Sequence, residues 1–160
     1  MVRCALFAAL MAVCAWICVP LGDIAFTMQT LGLFLTLGIL GGKWGTVSIL
    51  SYLLLGAAGA PVFSGFQSGF GAILGPKGGF LWGFLVSCLV YWVLERLGRI
   101  PAAIAAMAVC YGCGCLWYSL YAGDIGILAA AAKTVVPYLI PDAVKLTMAL
   151  SLSRRLKKHL

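Results

Sequence analysis

The chain has 160 residues, 64% of them hydrophobic and 9% charged, with 11 Lys+Arg against 4 Asp+Glu. A soluble domain carries about 25% charged residues, so this sequence cannot cover a water-facing surface, and its hydrophobicity also excludes intrinsic disorder. The solvent it implies is lipid: at ~20 residues per span there is room for about six or seven spans and none for a soluble catalytic or nucleotide-binding domain.

The predicted fold is all-α and polytopic, a single transmembrane substrate-binding domain over 1–160 with six spans and ordered outer loops. The first span covers 3–19. Arg3 and the apolar run Cys4–Val19 resemble a signal peptide, but no clear small-x-small cleavage site follows, so the segment is read as retained. The second span covers 26–42 and the third 44–59, with Gly41-Gly42-Lys43 between them. Residues 60–79, rich in Gly with Phe63, Phe66 and Phe70, are predicted to lack helical character. The fourth span, 79–97, stops at Glu95-Arg96-Leu97-Gly98-Arg99. The fifth, 101–122, begins at Pro101, which suits a first helical position. Residues 123–140 read as a short helix plus a re-entrant turn. The sixth span, 141–157, runs into Arg154, Arg155, Lys157 and Lys158.

Charge orients this arrangement. With both termini inside, Arg3, Lys43, Arg96, Arg99, Arg154, Arg155, Lys157 and Lys158 all fall on the cytoplasmic side, as the positive-inside rule requires. The outer side receives Asp23, Lys77, Asp124 and Lys133. The net charge of +7 thus marks topology, and nucleic acid is not expected as a partner. The localisation expected is the plasma membrane, multi-pass.

Asp142 and Lys145 fit no loop. Ionisable groups inside a span cost at least ~2.5–3.5 kcal/mol and face a cavity or a partner. With Pro141 at a first helical position, Asp142 falls in the first turn, where the helix dipole favours it. Lys145, three residues on, shares its face. A pair that only neutralises itself is the alternative to a polar pocket beneath the outer surface. The irregular segment 60–79 favours the pocket, because non-helical backbone at membrane depth must be buried or line a cavity. Thr27 and Gln29 add neutral hydrogen-bonding groups from the first outer loop, and Tyr52 joins them from the third helix. Trp44 reads as an interfacial anchor.

Catalytic constellations are missing. Gly75-Pro76-Lys77 lacks the spacing of a P-loop. The one histidine, His159, is in the tail, and no paired acids occur within spans. Cys110, Cys113 and Cys115 have no second Cys/His pair to make a zinc site. No enzyme activity, cofactor or metal is expected.

The motifs Phe26-Thr-Met-Gln29-Thr-Leu-Gly32, Gly42-Lys-Trp-Gly45, Tyr52-Leu-Leu-Leu-Gly56-Ala-Ala-Gly59-Ala-Pro61-Val-Phe63, Gly75-Pro-Lys-Gly78-Gly79-Phe80 and Pro137-Tyr-Leu-Ile-Pro141-Asp142-Ala-Val-Lys145 resemble the BioY family, the biotin-binding S components of energy-coupling-factor (ECF) transporters. The resemblance spans about half the chain in conserved order and spacing. It implies the S-component fold, capture of biotin at the outer face, and ATP-driven delivery inward with a transmembrane T component and two ATPase subunits. It also implies that small residues spaced by four on the first helix meet the T component, here Ala5 and Ala9, with Ala8 and Ala12 as a second register. The substrate-binding set it suggests is Asp142, Lys145, Gln29, Thr27, Tyr52, Phe63, Phe66, Gln67, Phe80 and Lys77. Asp142, Gln29 and Thr27 would serve the ureido head, while Lys145 would meet either the ureido carbonyl or the carboxylate. The aromatic residues would wall the rings. Where the family pattern has Thr and Tyr, this chain has Lys77 and Phe80, and it lacks a Gly before Asp142. Lys77 brings a charge to the pocket mouth, where a carboxylate would meet it. An S component for another small vitamin, a solitary biotin transporter without dedicated ATPases, and a membrane scaffold stay open as alternatives.

Overall fold

Backbone in lipid must satisfy its hydrogen bonds within its own segment, and the chain is helical almost throughout. The computed structural model describes residues 2–20, 25–123 and 125–157. Its elements are α1 (Val2–Trp16), β1 (Cys18–Pro20), β2 (Ala25–Thr27), α2 (Gln29–Ala57), α3 (Gly69–Leu74), α4 (Gly78–Leu94), α5 (Arg99–Tyr121), α6 (Ile127–Thr134) and α7 (Val136–Leu156). Asp23, Asp124, Lys158 and His159 lie outside the described residues.

Helix α2 is one element by its hydrogen bonds and two by its path. Gln29 and Tyr52 would stand ~34 Å apart on a straight helix at 1.5 Å per residue, yet Gln29 Nε2 donates to Tyr52 Oη at 2.9 Å. The chain reverses at Gly41, whose φ of 78° and ψ of 174° are non-helical. Only glycine takes that combination without strain. Helix Gln29–Ala57, which by length and apolar composition alone would count as one long span beside Arg99–Tyr121, is therefore a hairpin whose two arms are 29–40 and 42–57. The Glu95 carboxylate accepts from Gly42 N–H at 2.8 Å, placing an anion at the N-terminus of the second arm.

Further contacts define the same end of the molecule. A Cβ on Gly38 would lie 2.6 Å from Ser153 Oγ, so the end of α7 lies beside the hairpin turn. Ser48 Oγ donates to Cys4 O at 2.9 Å, which ties the start of α1 to the second arm. Lys43, Glu95, Arg96, Arg99, Arg154, Arg155 and Arg3 flank these contacts in sequence, so the basic residues gather at one end of the bundle. The outer surface of the helices is apolar: Leu6, Leu54, Val93, Ile104, Leu120, Ile140 and Met148 are all exposed, while Asp142 and Lys145 are buried inside. This inversion of the soluble pattern belongs to a polytopic membrane fold.

The short helix expected within 123–140 is α6, which leads into α7 with a bend of 49°. Two expectations are corrected. Residues 60–79 contain α3 and are not wholly irregular. Helix α7 starts at Val136 with Pro137 in its first turn, and Pro141 lies inside it. Asp142 is thus in the second turn, beyond the strongest field of the helix N-terminus. A short antiparallel ribbon, absent from the expectation, pairs Cys18 with Thr27 and Val19 with Phe26.

Candidate functional site

A cavity opens between the first arm of α2, the loop before α3, the start of α4, α5, and α7. Its polar wall is built around Asp142, which is 5% exposed, as is Lys145. Three residues along α7 place the two side chains together, and Lys145 Nζ donates to Asp142 Oδ1 at 2.6 Å. The other carboxylate oxygen accepts from Tyr111 Oη of α5 at 2.7 Å and from Thr30 Oγ1 at 3.4 Å. An ionised carboxylate has about four acceptor positions, so one is left for an incoming N–H donor.

Lys145 is more fully engaged. Besides Asp142 it donates to Thr27 O at 2.6 Å, and its ammonium lies 3.7 Å from the centroid of the Phe26 ring, a cation–π contact. The β1–β2 ribbon supplies both groups. Pairing Cys18 with Thr27 fixes the peptide that Lys145 reaches, so a local hairpin determines the position of a buried charge on a helix distant in sequence. The pair as a whole is electrically balanced.

A second chain of bonds runs beside it. Thr27 Oγ1 donates to Gln29 Oε1 at 3.1 Å, Gln29 Nε2 to Tyr52 Oη at 2.9 Å, and Tyr52 Oη to Val62 O at 3.1 Å. This chain spans both arms of the hairpin and fixes the loop before α3. Phe63, from that loop, packs edge-on against Tyr52 at 5.5 Å between centroids. It fits there because Gly56 has no side chain: a Cβ on Gly56 would lie 2.1 Å from the Phe63 ring. Across the cavity, Trp117 Nε1 donates to Gly75 O at 3.0 Å and holds the turn before α4 against α5. Among the described residues, no buried side-chain nitrogen or oxygen lacks a partner.

Of the residues singled out in the sequence, Thr27, Gln29, Phe63, Gln67, Lys77, Phe80, Asp142 and Lys145 line this cavity. Tyr52 stands behind the wall and acts through Gln29 and Phe63. Phe66 is not brought to the cavity. Its ring is 63% exposed and stacks on Trp16 with centroids 5.3 Å apart, so the loop turns it outward at a backbone φ of 58°. The sequence reading missed Tyr111, Thr30 and Tyr138, which also line the cavity. For Tyr111 the only signal was a hydroxyl between two cysteines of an apolar helix. The four alanines of α1 divide: Ala8 and Ala12 are buried in the subunit's own packing, while Ala5 and Ala9 are exposed. They border a groove with Val47, Ser51 and Leu55 of the second α2 arm.

Comparison with known proteins places this architecture. The BioY family model matches residues 1–160. A protein of Thermotoga maritima named biotin transporter BioY is 35% identical, over 99% of this chain and 95% of its own. A probable biotin transporter BioY of Pyrococcus horikoshii is 35% identical, over 96% of this chain and 93% of its own. A biotin transporter BioY of Rhodobacter capsulatus is 33% identical, over 96% and 90%. Among solved structures, the S-component for biotin from an ECF-type ABC transporter superposes with a TM-score of 0.89 at 23% identity, covering 98% of this chain and 89% of that one. At that identity the likeness establishes the fold.

Proposed function

The chain belongs to the BioY family, and from that premise we propose that it is the biotin-binding membrane subunit of a vitamin uptake transporter. The observation that carries this reading is the buried Asp142–Lys145–Tyr111 cluster facing a cavity walled elsewhere by aromatic, aliphatic and neutral polar side chains. Biotin has a ureido ring with two N–H donors and one carbonyl, an apolar thioether ring, and a carboxylate on a flexible chain. The free acceptor position of Asp142 suits a ureido N–H. Gln29 and Thr27 lie on the same side of the cavity and suit the rest of the head group. Phe63, Phe80 and Phe84 suit the apolar rings. A site built to pair buried polar groups rejects analogues that lack the partners.

The subunit has no motor of its own, so delivery inward needs partners. A transmembrane T component and two ATPase subunits of an energy-coupling module fill that role in this reading. The T component meets the exposed side of α1 at Ala5 and Ala9, where small-xxx-small spacing permits close helix approach in lipid. The basic end of the bundle faces the cytoplasm of the cell membrane, both termini with it, and the cavity opens to the outside.

Titration calorimetry of the purified chain with biotin and with other small vitamins tests the reading. Saturable binding of biotin is the expected result. A flat biotin titration, with heat from a different vitamin, would retain the transporter class and discard the ligand.

A further inference from the structure

Two cations line the cavity, and they differ in kind. Lys145 is buried against Asp142 at 2.6 Å and its charge is balanced. Lys77 is half-buried and has no carboxylate within ion-pair distance among the described residues; its hydrogen bond is to the neutral Ser64 Oγ at 3.4 Å. The lining therefore holds one carboxylate, Asp142, and two ammonium groups, with the unbalanced positive charge at Lys77.

The place of Lys77 in the fold sharpens this. It is the N-cap residue of α4, where its side chain makes no capping bond. The N-terminus of a helix carries a partial positive charge, which favours anions and disfavours a lysine. Among the described residues, no ion pair offsets this at Lys77. Lys77, Gln67 and Ala72 also line a second hollow, bounded by Phe66, Ser68, Gly71, Gly75 and Pro76. Lys77 thus stands on the wall between the cavity and the adjoining surface hollow, with the positive end of α4 behind it.

We propose that Lys77 is the anion-recognising residue of the site and fixes the direction of the ligand: the carboxylate of biotin pairs with Lys77, and the ureido ring lies at Asp142 and Tyr111. This inference rests on the biotin reading above and adds an orientation and a selectivity to it. Lys145 becomes a positioning residue, which pairs with Asp142 and tethers it to the peptide of Thr27. A ligand with a neutral tail, such as biotin amide, keeps the ureido contacts and forfeits the ion pair with Lys77, its carbonyl being left at most a neutral acceptor.

The test compares biotin with biotin amide on the purified full chain, by calorimetry, for the wild type, Lys77→Met and Lys77→Arg. A hydrogen bond to a charged group is strong enough that its loss weakens binding about tenfold or more. Lys77→Met should therefore weaken biotin at least about tenfold while changing biotin amide by less than about twofold. Lys77→Arg keeps the charge and should keep the preference for biotin. Equal weakening of both ligands by Lys77→Met would make Lys77 a wall residue and overturn the inference, as would unchanged affinity for both or a wild type indifferent to the tail. A wild type that binds neither ligand would instead overturn the biotin reading itself, and with it this orientation.

Discussion

Asp142 shows how burial changes what a substitution means. Removing one member of a buried ion pair leaves the other charge uncompensated and costs about 3–5 kcal/mol, whereas replacing both by apolar residues of similar volume is often neutral or stabilising. Asp142→Ala is thus expected to lower stability as well as affinity, because Lys145, 5% exposed, would be left among apolar walls. The double variant Asp142→Leu, Lys145→Met should recover the melting temperature in detergent and still fail to bind biotin. Recovery of both properties by the double variant would contradict a ligand role for the pair. At this scale the sequence was informative wherever a charge broke an apolar run, which is why Asp142, Lys145 and Lys77 could be picked out. Tyr111 could not, since a tyrosine in a membrane helix is ordinary and its bond to Asp142 links residues 31 apart. Phe66 was misplaced for the opposite reason. Composition put three phenylalanines in one loop, but only the path of the backbone decides which of them turns inward.

At the scale of elements, the hairpin within α2 is the feature on which the site depends. It brings Gln29 and Tyr52 together and allows Phe63 to close on Gly56. Gly41 is therefore expected to tolerate substitution poorly. Gly41→Ala places a Cβ on a backbone region that costs of order 1–3 kcal/mol for other residues, and the melting temperature in detergent should fall. Gly112→Ala is the control. A Cβ there meets nothing within 4 Å, and alanine is the better helix former by about 1 kcal/mol, so stability should hold or rise. Equal tolerance at both positions would contradict a reversal at Gly41. The sequence marked this break, because Gly41-Gly42-Lys43 separates two apolar runs. It misjudged the start of α7, because Pro137 and Pro141 both suit a first turn and only packing against α2 and α6 decides between them. The β1–β2 ribbon was not legible, being three residues on each side and stabilised by the tertiary contact it makes with Lys145.

For the whole molecule, scarcity of charge is the organising fact. Most basic side chains gather at one end of the bundle with Glu95, while Lys77 and Lys145 line the cavity. Apolar helices enclose a polar cluster that a lipid-facing surface could not hold, and the cavity lining beside that balanced cluster carries one further positive charge, Lys77. The class of fold followed from composition. The orientation of a ligand did not, because it depends on which lysine already has a partner. The most direct test is a structure of this chain with biotin bound. The account predicts the ureido ring within hydrogen-bonding distance of Asp142, with Phe63 and Phe80 against the apolar rings and the carboxylate toward Lys77. Biotin seated elsewhere, for example in the groove between α1 and the second arm of α2, with the Asp142–Lys145–Tyr111 cluster untouched, would contradict it.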